Sequence, residues 1–159
     1  MAGRSETAAG QIRSSLIESS LKVDDALIRR YAAMTRDGNP LHLDPAFAAA
    51  TPMGGIIAHG TLLLAPLWQA LEQTLGRERL AGIVLDIRFK RPVRPGDVIT
   101  AGGTRRRDGR SYDVWVEAAD GTRVIEGTAL STATPARGTV RTLVQPRKKP
   151  KPGSRRPPV

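Results

Sequence analysis

Residues 60–75 read GTLLLAPLWQALEQTL, with apolar side chains around nearly the whole circumference of a predicted helix. A helix with so little polar surface is buried on most of its faces. Pro66 removes one helical hydrogen bond, so we expect the helix to kink or restart there. Gly76 is a plausible stop. The sequence therefore predicts a core built around one helix.

The segment upstream predicts one strand and one amphipathic helix. Residues 11–23 mix apolar and polar side chains and could hold an early strand. Asp24 or Asp25 then caps a helix whose apolar residues recur at the spacing of one helix face. We expect this helix to stop before Gly38, because glycine and a nearby proline disfavour its continuation.

A loop and a second, shorter helix are predicted next. Asn39 precedes a proline, which pushes its backbone away from the helical region, so residues 36–42 are predicted as a loop. Asp44 is then placed as an N-cap, with Pro45 at the first helical position. Residues 51–55 form another loop.

Four segments after the buried helix alternate between apolar and polar residues, as strands with one buried face do. They are residues 83–90, 98–105, 111–118 and 124–132. Asp108-Gly109 predicts a type I′ hairpin between the second and third of them, and Asp120-Gly121 predicts a further hairpin turn. We therefore predict a meander of four strands.

The order strand, helix, helix and meander predicts an α+β fold of the hot-dog type, an antiparallel sheet wrapped around a long central helix. The early strand would add a fifth member to the sheet. A generic α+β domain fits the same pattern. We place the domain at residues 1–136 and a C-terminal tail at residues 137–159.

Composition excludes several classes of protein. The 159 residues include no cysteine, which excludes disulfide scaffolds, thiolate nucleophiles and cysteine–zinc sites. No apolar run reaches the roughly 20 residues that a membrane helix needs. Residues 1–10 are polar and lack a signal-peptide core, so we expect a cytoplasmic location.

The formal charge of +10 lies mostly in the tail. Residues 137–159 hold eight basic residues and no acidic one, whereas the other 136 residues hold 17 basic and 15 acidic residues. Residues 145–159 contain five prolines and no apolar periodicity, so we expect them to be disordered. A nucleic-acid-binding function would depend on this tail alone, which has no aromatic residue for stacking, and we do not expect nucleic acid as a partner.

The residues with the most unusual local chemistry include both histidines of the chain. Asp37 and His42 are five positions apart and would not share a helix face, but a loop shaped by Gly38 and Pro40 can bring them together. A carboxylate beside an imidazole is a general acid/base pair near neutral pH. Such a pair can also hold one water. Asn39 has donors and acceptors to tie the loop down.

The second histidine belongs to the segment Ile57-Ala58-His59-Gly60, at the start of the buried helix. A helix N-terminus exposes unpaired N–H groups and partial positive charge. Gly60 has no side chain, so a substrate oxygen can approach its N–H closely, as in an oxyanion hole. Together the two segments suit the addition of water to a double bond conjugated with a carbonyl, or the reverse elimination.

Three stretches resemble one known family. Residues 31–48, YAAMTRDGNPLHLDPAFA, resemble the hydratase 2 motif of the MaoC-like dehydratases, the (R)-specific enoyl-CoA hydratases. Residues 57–60 match that family's entry to its central helix, and residues 88–97, RFKRPVRPGD, look like its strand and turn. Arg36 departs from the pattern, since many members have glycine before the catalytic aspartate. The resemblance covers roughly residues 23–133.

The resemblance implies roles for individual residues. Asp37 and His42 would be the catalytic pair that binds and deprotonates water and returns a proton to the α-carbon. The Gly60 N–H would polarise the thioester carbonyl. Asn39 would orient the loop. From its place at the start of the buried helix, and not from the resemblance, His59 is expected to position the loop or cap the helix. The reaction needs no metal and no redox cofactor; CoA or an acyl carrier enters only as part of the substrate.

The resemblance also indicates partners. Lys90, Arg91 and Arg94 form a basic patch that could bind the phosphates of CoA. The family is usually dimeric, with joined sheets and an acyl tunnel near the interface. We therefore expect an acyl-thioester substrate and a homodimer, or a heteromer with another hot-dog chain.

Two other functions remain open at this point. A hot-dog acyl-CoA thioesterase also needs a carboxylate, a water and an oxyanion site, although the motif favours hydration. A non-catalytic MaoC-like subunit could bind acyl groups or a partner chain through the basic tail.

Overall fold

The computed structural model describes residues 13–132. Within them, five strands form one antiparallel sheet in the order β1-β3-β4-β5-β2. The strands are β1 (Ser19–Lys22), β2 (Ile83–Phe89), β3 (Val98–Arg105), β4 (Ser111–Ala118) and β5 (Arg123–Ser131). The α+β hot-dog prediction is confirmed, and the early strand joins the sheet as its fifth member.

The sheet is not the predicted four-strand meander. Only β3, β4 and β5 follow one another as neighbours, because β2 pairs with β5 at the far edge. The connection from β2 to β3 spans residues 90–97 and contains Pro92 and Pro95, which is too long for a tight hairpin. Strand β1 pairs with the side of β3 where the predicted meander would have placed β2, and Leu21 lies opposite Ile99.

The buried helix has two parts. Residues Gly60–Leu64 form a 3₁₀ helix, and α4 follows at Ala65–Leu75. Pro66 lies in the first turn of α4, where its missing N–H would have no intrahelical partner, so the expected restart is found. Gly76 ends α4 with a φ of 88° and donates its N–H to the Glu72 carbonyl.

The sheet closes over α4 to form the core. Leu67, Ala70 and Leu71 on the helix are fully buried, as are the inward-facing Ile99 and Val116. Helix α4 contacts β1, β3 and β4. Burying each leucine of this kind contributes about 1.5–3 kcal/mol relative to its exposure to water. The apolar character of residues 60–75 is thereby accounted for.

Three helices precede the core helix: α1 (Asp25–Thr35), α2 (Pro40–Leu43) and α3 (Pro45–Ala49). As predicted, the Asp24 side chain caps α1, and the Asp44 side chain caps α3. The predicted loop over residues 36–42 is wrong from Pro40 onward. Asn39 accepts a hydrogen bond from the Leu41 N–H at 3.0 Å, and Pro40 is already fixed in a helical φ, so a short helix begins there.

The two Asp-Gly turns join β3 to β4 and β4 to β5. A type I′ turn at Asp108-Gly109 would need positive φ at both residues. Gly109 has a φ of 69°, but Arg36 is the one non-glycine residue with positive φ in residues 13–132, so the type I′ prediction is wrong. Instead, the Asp108 carboxylate accepts hydrogen bonds from the N–H groups of Arg110 and Ser111, both at 2.9 Å, and from the Ser111 hydroxyl.

The predicted tail at residues 137–159, with the rest of the chain beyond Thr132, lies outside the described residues. Within residues 13–132, no helix has both the length and the apolar character needed to cross a membrane.

The Asp108 turn predicts a dependence of stability on pH. Hydrogen bonds from Ser111 and Arg110 lower the pKa of the Asp108 carboxyl from 3.8 to about 2. A lowered pKa adds stability that is present above pH 3.8 and is lost as pH falls through about 2. In chemical denaturation, Asp108→Asn should therefore be less stable than the wild type at pH 6, and the two should converge near pH 2. A difference that stays constant down to pH 2 would contradict this assignment.

Candidate active site

Asp37 and His42 meet where α1 gives way to α2. Arg36 ends α1 with a φ of 58°, and this left-handed residue turns the chain sharply. The Asn39 N–H then donates to Asp37 Oδ1 at 3.3 Å while its side chain caps α2. The carboxylate lies just before α2, and the imidazole lies within it. The predicted convergence of the two side chains is what the structure shows.

The His42 ring is held by a backbone carbonyl. Its Nδ1 lies 2.7 Å from the carbonyl oxygen of Ile57. A carbonyl only accepts hydrogen bonds, so Nδ1 carries the proton and donates it. In the neutral ring, Nε2 then keeps a free lone pair, the form that a general base needs.

His59 lies beneath this pair and is buried, with 2% of its surface exposed. Its Nε2 lies 3.3 Å from the backbone oxygen of Asp37 and 3.9 Å from the Asp37 carboxylate. Its ring stacks on His42 with centroids 3.8 Å apart, and the Tyr31 ring lies 5.2 Å away on a tilted plane. His59 thus contacts both members of the pair, while the Asp37 side chain itself is 52% exposed.

Asp37, His42 and His59 each offer a ligand atom, and these atoms lie within 4.8 Å of one another. A bound metal would need their lone pairs to converge on one point about 2.0–2.1 Å away. The two imidazole planes are only 30° apart in the stack, so the lone pairs of the two rings lie in nearly parallel planes and do not converge on one point. The cluster therefore suits a hydrogen-bonded water better than a metal ion.

Gly60 borders a cavity of about 310 Å³ that also reaches His42. The other lining residues are Met53, Ile57, Ala58, Leu63, Phe89, Lys90, Arg91 and Pro92. Gly60 is the first residue of the 3₁₀ helix, where N–H groups have no intrahelical partner. A Cβ at this position would lie 3.3 Å from Cε1 of Phe89, so the Phe89 ring packs closely on Gly60 and leaves little room for a side chain there.

The three basic residues predicted to bind phosphate have different surroundings. Lys90 forms an ion pair with Glu126 at 2.9 Å. Arg94 donates a hydrogen bond to the carbonyl oxygen of Met53. Arg91 borders the cavity. Their role toward phosphate stays a prediction.

Several residues of the site carry no signal in the sequence. The Ile57 carbonyl is a backbone group, and nothing in the type of its side chain marks it as the acceptor for His42. Phe89 fits the alternating pattern of its strand, but its position over Gly60 depends on how β2 lies against the 3₁₀ helix. A glycine at a helix start and an aromatic residue at a strand end are the two residue types that could have suggested this contact.

Known proteins resemble this chain over the residues that form the sheet and the candidate site. Residues 8–126 match the family model described as the MaoC like domain. The (R)-specific enoyl-CoA hydratase of Aeromonas caviae is 42% identical over 76 residues, which is 48% of this chain and 57% of that protein. The 3-hydroxybutyryl-CoA dehydratase of Methylorubrum extorquens is 38% identical over 69 residues, 43% and 44% of the two chains. The chain thus spans about half the length of these curated relatives.

Solved structures agree with the fold. The (R)-hydratase from A. caviae involved in PHA biosynthesis superposes with a TM-score of 0.62 and 30% identity, covering 77% of this chain and 96% of that one. The protein af1124 from Archaeoglobus fulgidus superposes with a TM-score of 0.63 and 26% identity, over 82% and 86% of the two chains. With the family model matching residues 8–126, the chain belongs to the MaoC-like domain family.

Proposed function

We propose that this chain catalyses the reversible hydration of trans-2-enoyl thioesters, carried by CoA or by an acyl carrier, to (R)-3-hydroxyacyl thioesters. The observation that carries the proposal is the position of Asp37 and His42, a carboxyl group and an imidazole whose ligand atoms lie within 4.8 Å of each other. His42 also borders the cavity next to Gly60. The relatives named as hydratase and dehydratase support the same reaction.

The pair activates one water. Asp37 accepts a hydrogen bond from the water, and His42 Nε2 has the lone pair that can take part in removing its proton. The water oxygen forms a bond to the β-carbon as the double bond opens. The proton that the pair has taken up is returned to the α-carbon, so that the elements of water are added and nothing is oxidised or reduced. This balance needs neither a redox cofactor nor a metal ion.

Negative charge develops on the thioester oxygen during this addition. The Gly60 N–H begins the 3₁₀ helix and borders the same cavity, so it can donate a hydrogen bond to that oxygen. The oxygen must approach the backbone closely, which the absence of a side chain at Gly60 allows. Loss of one oxyanion-hole donor typically costs about 10²–10³ in kcat.

Asn39 and His59 orient the pair without touching substrate. Asn39 caps α2 and donates its backbone N–H to Asp37, and His59 donates from Nε2 to the Asp37 backbone and stacks on His42. Lys90 and Arg91 remain proposed contacts for the phosphates of CoA.

Removing either member of the pair should abolish most of the turnover. We predict that Asp37→Asn and His42→Ala each lower kcat by about 10²–10⁴, the contribution typical of a positioned acid or base. The loss of absorbance of trans-2-enoyl-CoA measures the rate, and circular dichroism checks the fold. Asp44→Asn is the matched control, because asparagine caps a helix as well as aspartate does and Asp44 only caps α3.

Other outcomes of this experiment identify the rival functions. Full activity in Asp37→Asn would contradict the proposed roles. Release of free CoA from saturated acyl-CoA would identify a thioesterase. Absence of turnover for every enoyl thioester, with the fold intact, would favour a non-catalytic subunit.

We further propose a homodimer formed through the edge strand β2. Its outer side is unpaired within the described residues, and such an edge readily pairs with another strand. If two copies of β2 pair antiparallel about Ile87, Asp86 of each copy lies opposite Arg88 of the other. Leu85 then lies opposite Phe89, which is 52% exposed in the single chain. The strand is thus complementary to itself in both charge and apolar surface.

Reversing one charge should weaken this dimer, and reversing both should restore it. Asp86→Arg places arginine opposite arginine across the strand pair, whereas Asp86→Arg with Arg88→Asp recreates two ion pairs. Sedimentation equilibrium should show a larger dissociation constant for the single variant and recovery in the double variant. A monomeric wild type, or a double variant no tighter than the single one, would contradict pairing through β2.

A further inference from the structure

The loop before the 3₁₀ helix supplies two parts of the site. Met53 and Ile57 line the cavity, and the Ile57 carbonyl accepts the hydrogen bond from His42. The loop also contains Gly54 with a φ of 66° and Gly55 with a φ of 152°. Two consecutive glycines at such angles give the backbone little stiffness of its own. Contacts from elsewhere therefore add to the hydrogen bond within the loop that the Gly54 N–H donates to the Thr51 carbonyl at 2.9 Å.

Arg94 makes such a contact from the opposite side. Its Nη2 donates to the Met53 carbonyl, and its Nη1 would lie 3.0 Å from a Cβ placed on Gly55. The guanidinium thus lies against the backbone of the loop at both residues. Since it presents several donors in one rigid plane, arginine can hold a carbonyl in a fixed position.

Arg94 is itself held in place. Its backbone N–H donates to Asp97 Oδ2 at 2.8 Å, and the Asp97 N–H donates back to the Arg94 carbonyl at 3.2 Å. The neighbouring Val93 is buried, and its carbonyl accepts from the Ala58 N–H at 2.8 Å. A closed turn before β3 therefore carries the guanidinium to the loop.

We propose that Arg94 is a positioning residue of the hydration reaction. It holds the loop at residues 53–55, while the carbonyl of the adjacent Val93 holds the Ile57–Ala58 peptide unit through the Ala58 N–H. The two contacts together keep the Ile57 carbonyl, which sets the tautomer of His42, in place. This inference depends on the proposed function for its kinetic consequences, but not for its structural ones. It assigns Arg94 a role other than the phosphate contact expected from the resemblance.

The two roles differ in which kinetic constant they change. We predict that Arg94→Gln lowers kcat by roughly 10- to 100-fold, the scale expected when a catalytic group is misplaced by a change some distance away. The factor should be the same for trans-2-butenoyl-CoA and for the trans-2-butenoyl thioester of N-acetylcysteamine, which carries no phosphate. A rise in KM for the CoA substrate alone, with kcat unchanged for both, would overturn the proposal in favour of phosphate binding.

Two further variants separate positioning from general loss of stability. Arg94→Lys retains a cationic donor group and should recover part of the kcat. Gly55→Ala disturbs the same contact from the loop side and should lower kcat as Arg94→Gln does. Gly121→Ala is its matched control, since Gly121 also has a positive φ, of 80°, but lies in the remote turn between β4 and β5. Equal losses of kcat in Gly55→Ala and Gly121→Ala would overturn the proposal.

A measurement without substrate keeps this proposal separate from the proposed function. Nitrogen-15 NMR of the imidazole rings should show His42 protonated at Nδ1 in the wild type and a mixture of tautomers in Arg94→Gln. That change in a protein that turns over no enoyl thioester would support positioning while the hydratase function failed. An unchanged His42 spectrum in Arg94→Gln would overturn the positioning role, whatever the activity.

Discussion

The rest of the structure depends on covering α4. Its leucines point in so many directions that one flat surface could not bury them, and the antiparallel sheet curls over the helix to do so. In the sheet that covers the helix, β1 pairs with the free side of β3, and β2 lies at the opposite edge. Pro66 lies in the first turn of α4, and a 3₁₀ segment precedes that helix.

The candidate site is assembled at the start of this 3₁₀ segment. The 3₁₀ segment begins at Gly60, directly after His59. The chain before it folds back, so that Asp37 and His42 lie against the buried His59 imidazole. Each of the three side chains is held by a backbone contact: Asp37 by Asn39, His42 by Ile57, and His59 by Asp37. Side chains fixed in this way lose little freedom when a substrate binds, which is how a small site gains precise geometry.

Local patterns in the sequence predicted local structure well. The alternation in residues 83–90, 98–105 and 111–118 corresponds to three strands, and the capping residues Asp24 and Asp44 were recognised from their types. Pairing between distant strands carries no such signal, so the β2–β5 neighbourhood could not be read from alternation. The type I′ turn was wrongly predicted at Asp108. There the Asp108 carboxylate accepts hydrogen bonds from backbone N–H groups, so the turn forms without a second residue of positive φ.

In the candidate site, too, some residues could be predicted from the sequence and some contacts could not. Asp37, His42 and Gly60 could be picked out from residue type and spacing, since carboxylate, imidazole and glycine have chemistry of their own. The acceptor for His42 is a backbone carbonyl, and the contact of Arg94 with the loop spans 41 positions of the chain. Both depend on the tertiary fold, so neither could be predicted from the sequence.

The most direct test of water addition at Asp37 and His42 is the identity and configuration of the product. Incubation of the wild-type protein with trans-2-butenoyl-CoA, followed by chiral chromatography of the released acid after chemical hydrolysis, should yield (R)-3-hydroxybutyrate, with no free CoA formed before that hydrolysis. An (S) product, free CoA formed by the protein itself, or unchanged enoyl thioester would contradict (R)-specific hydration at this site.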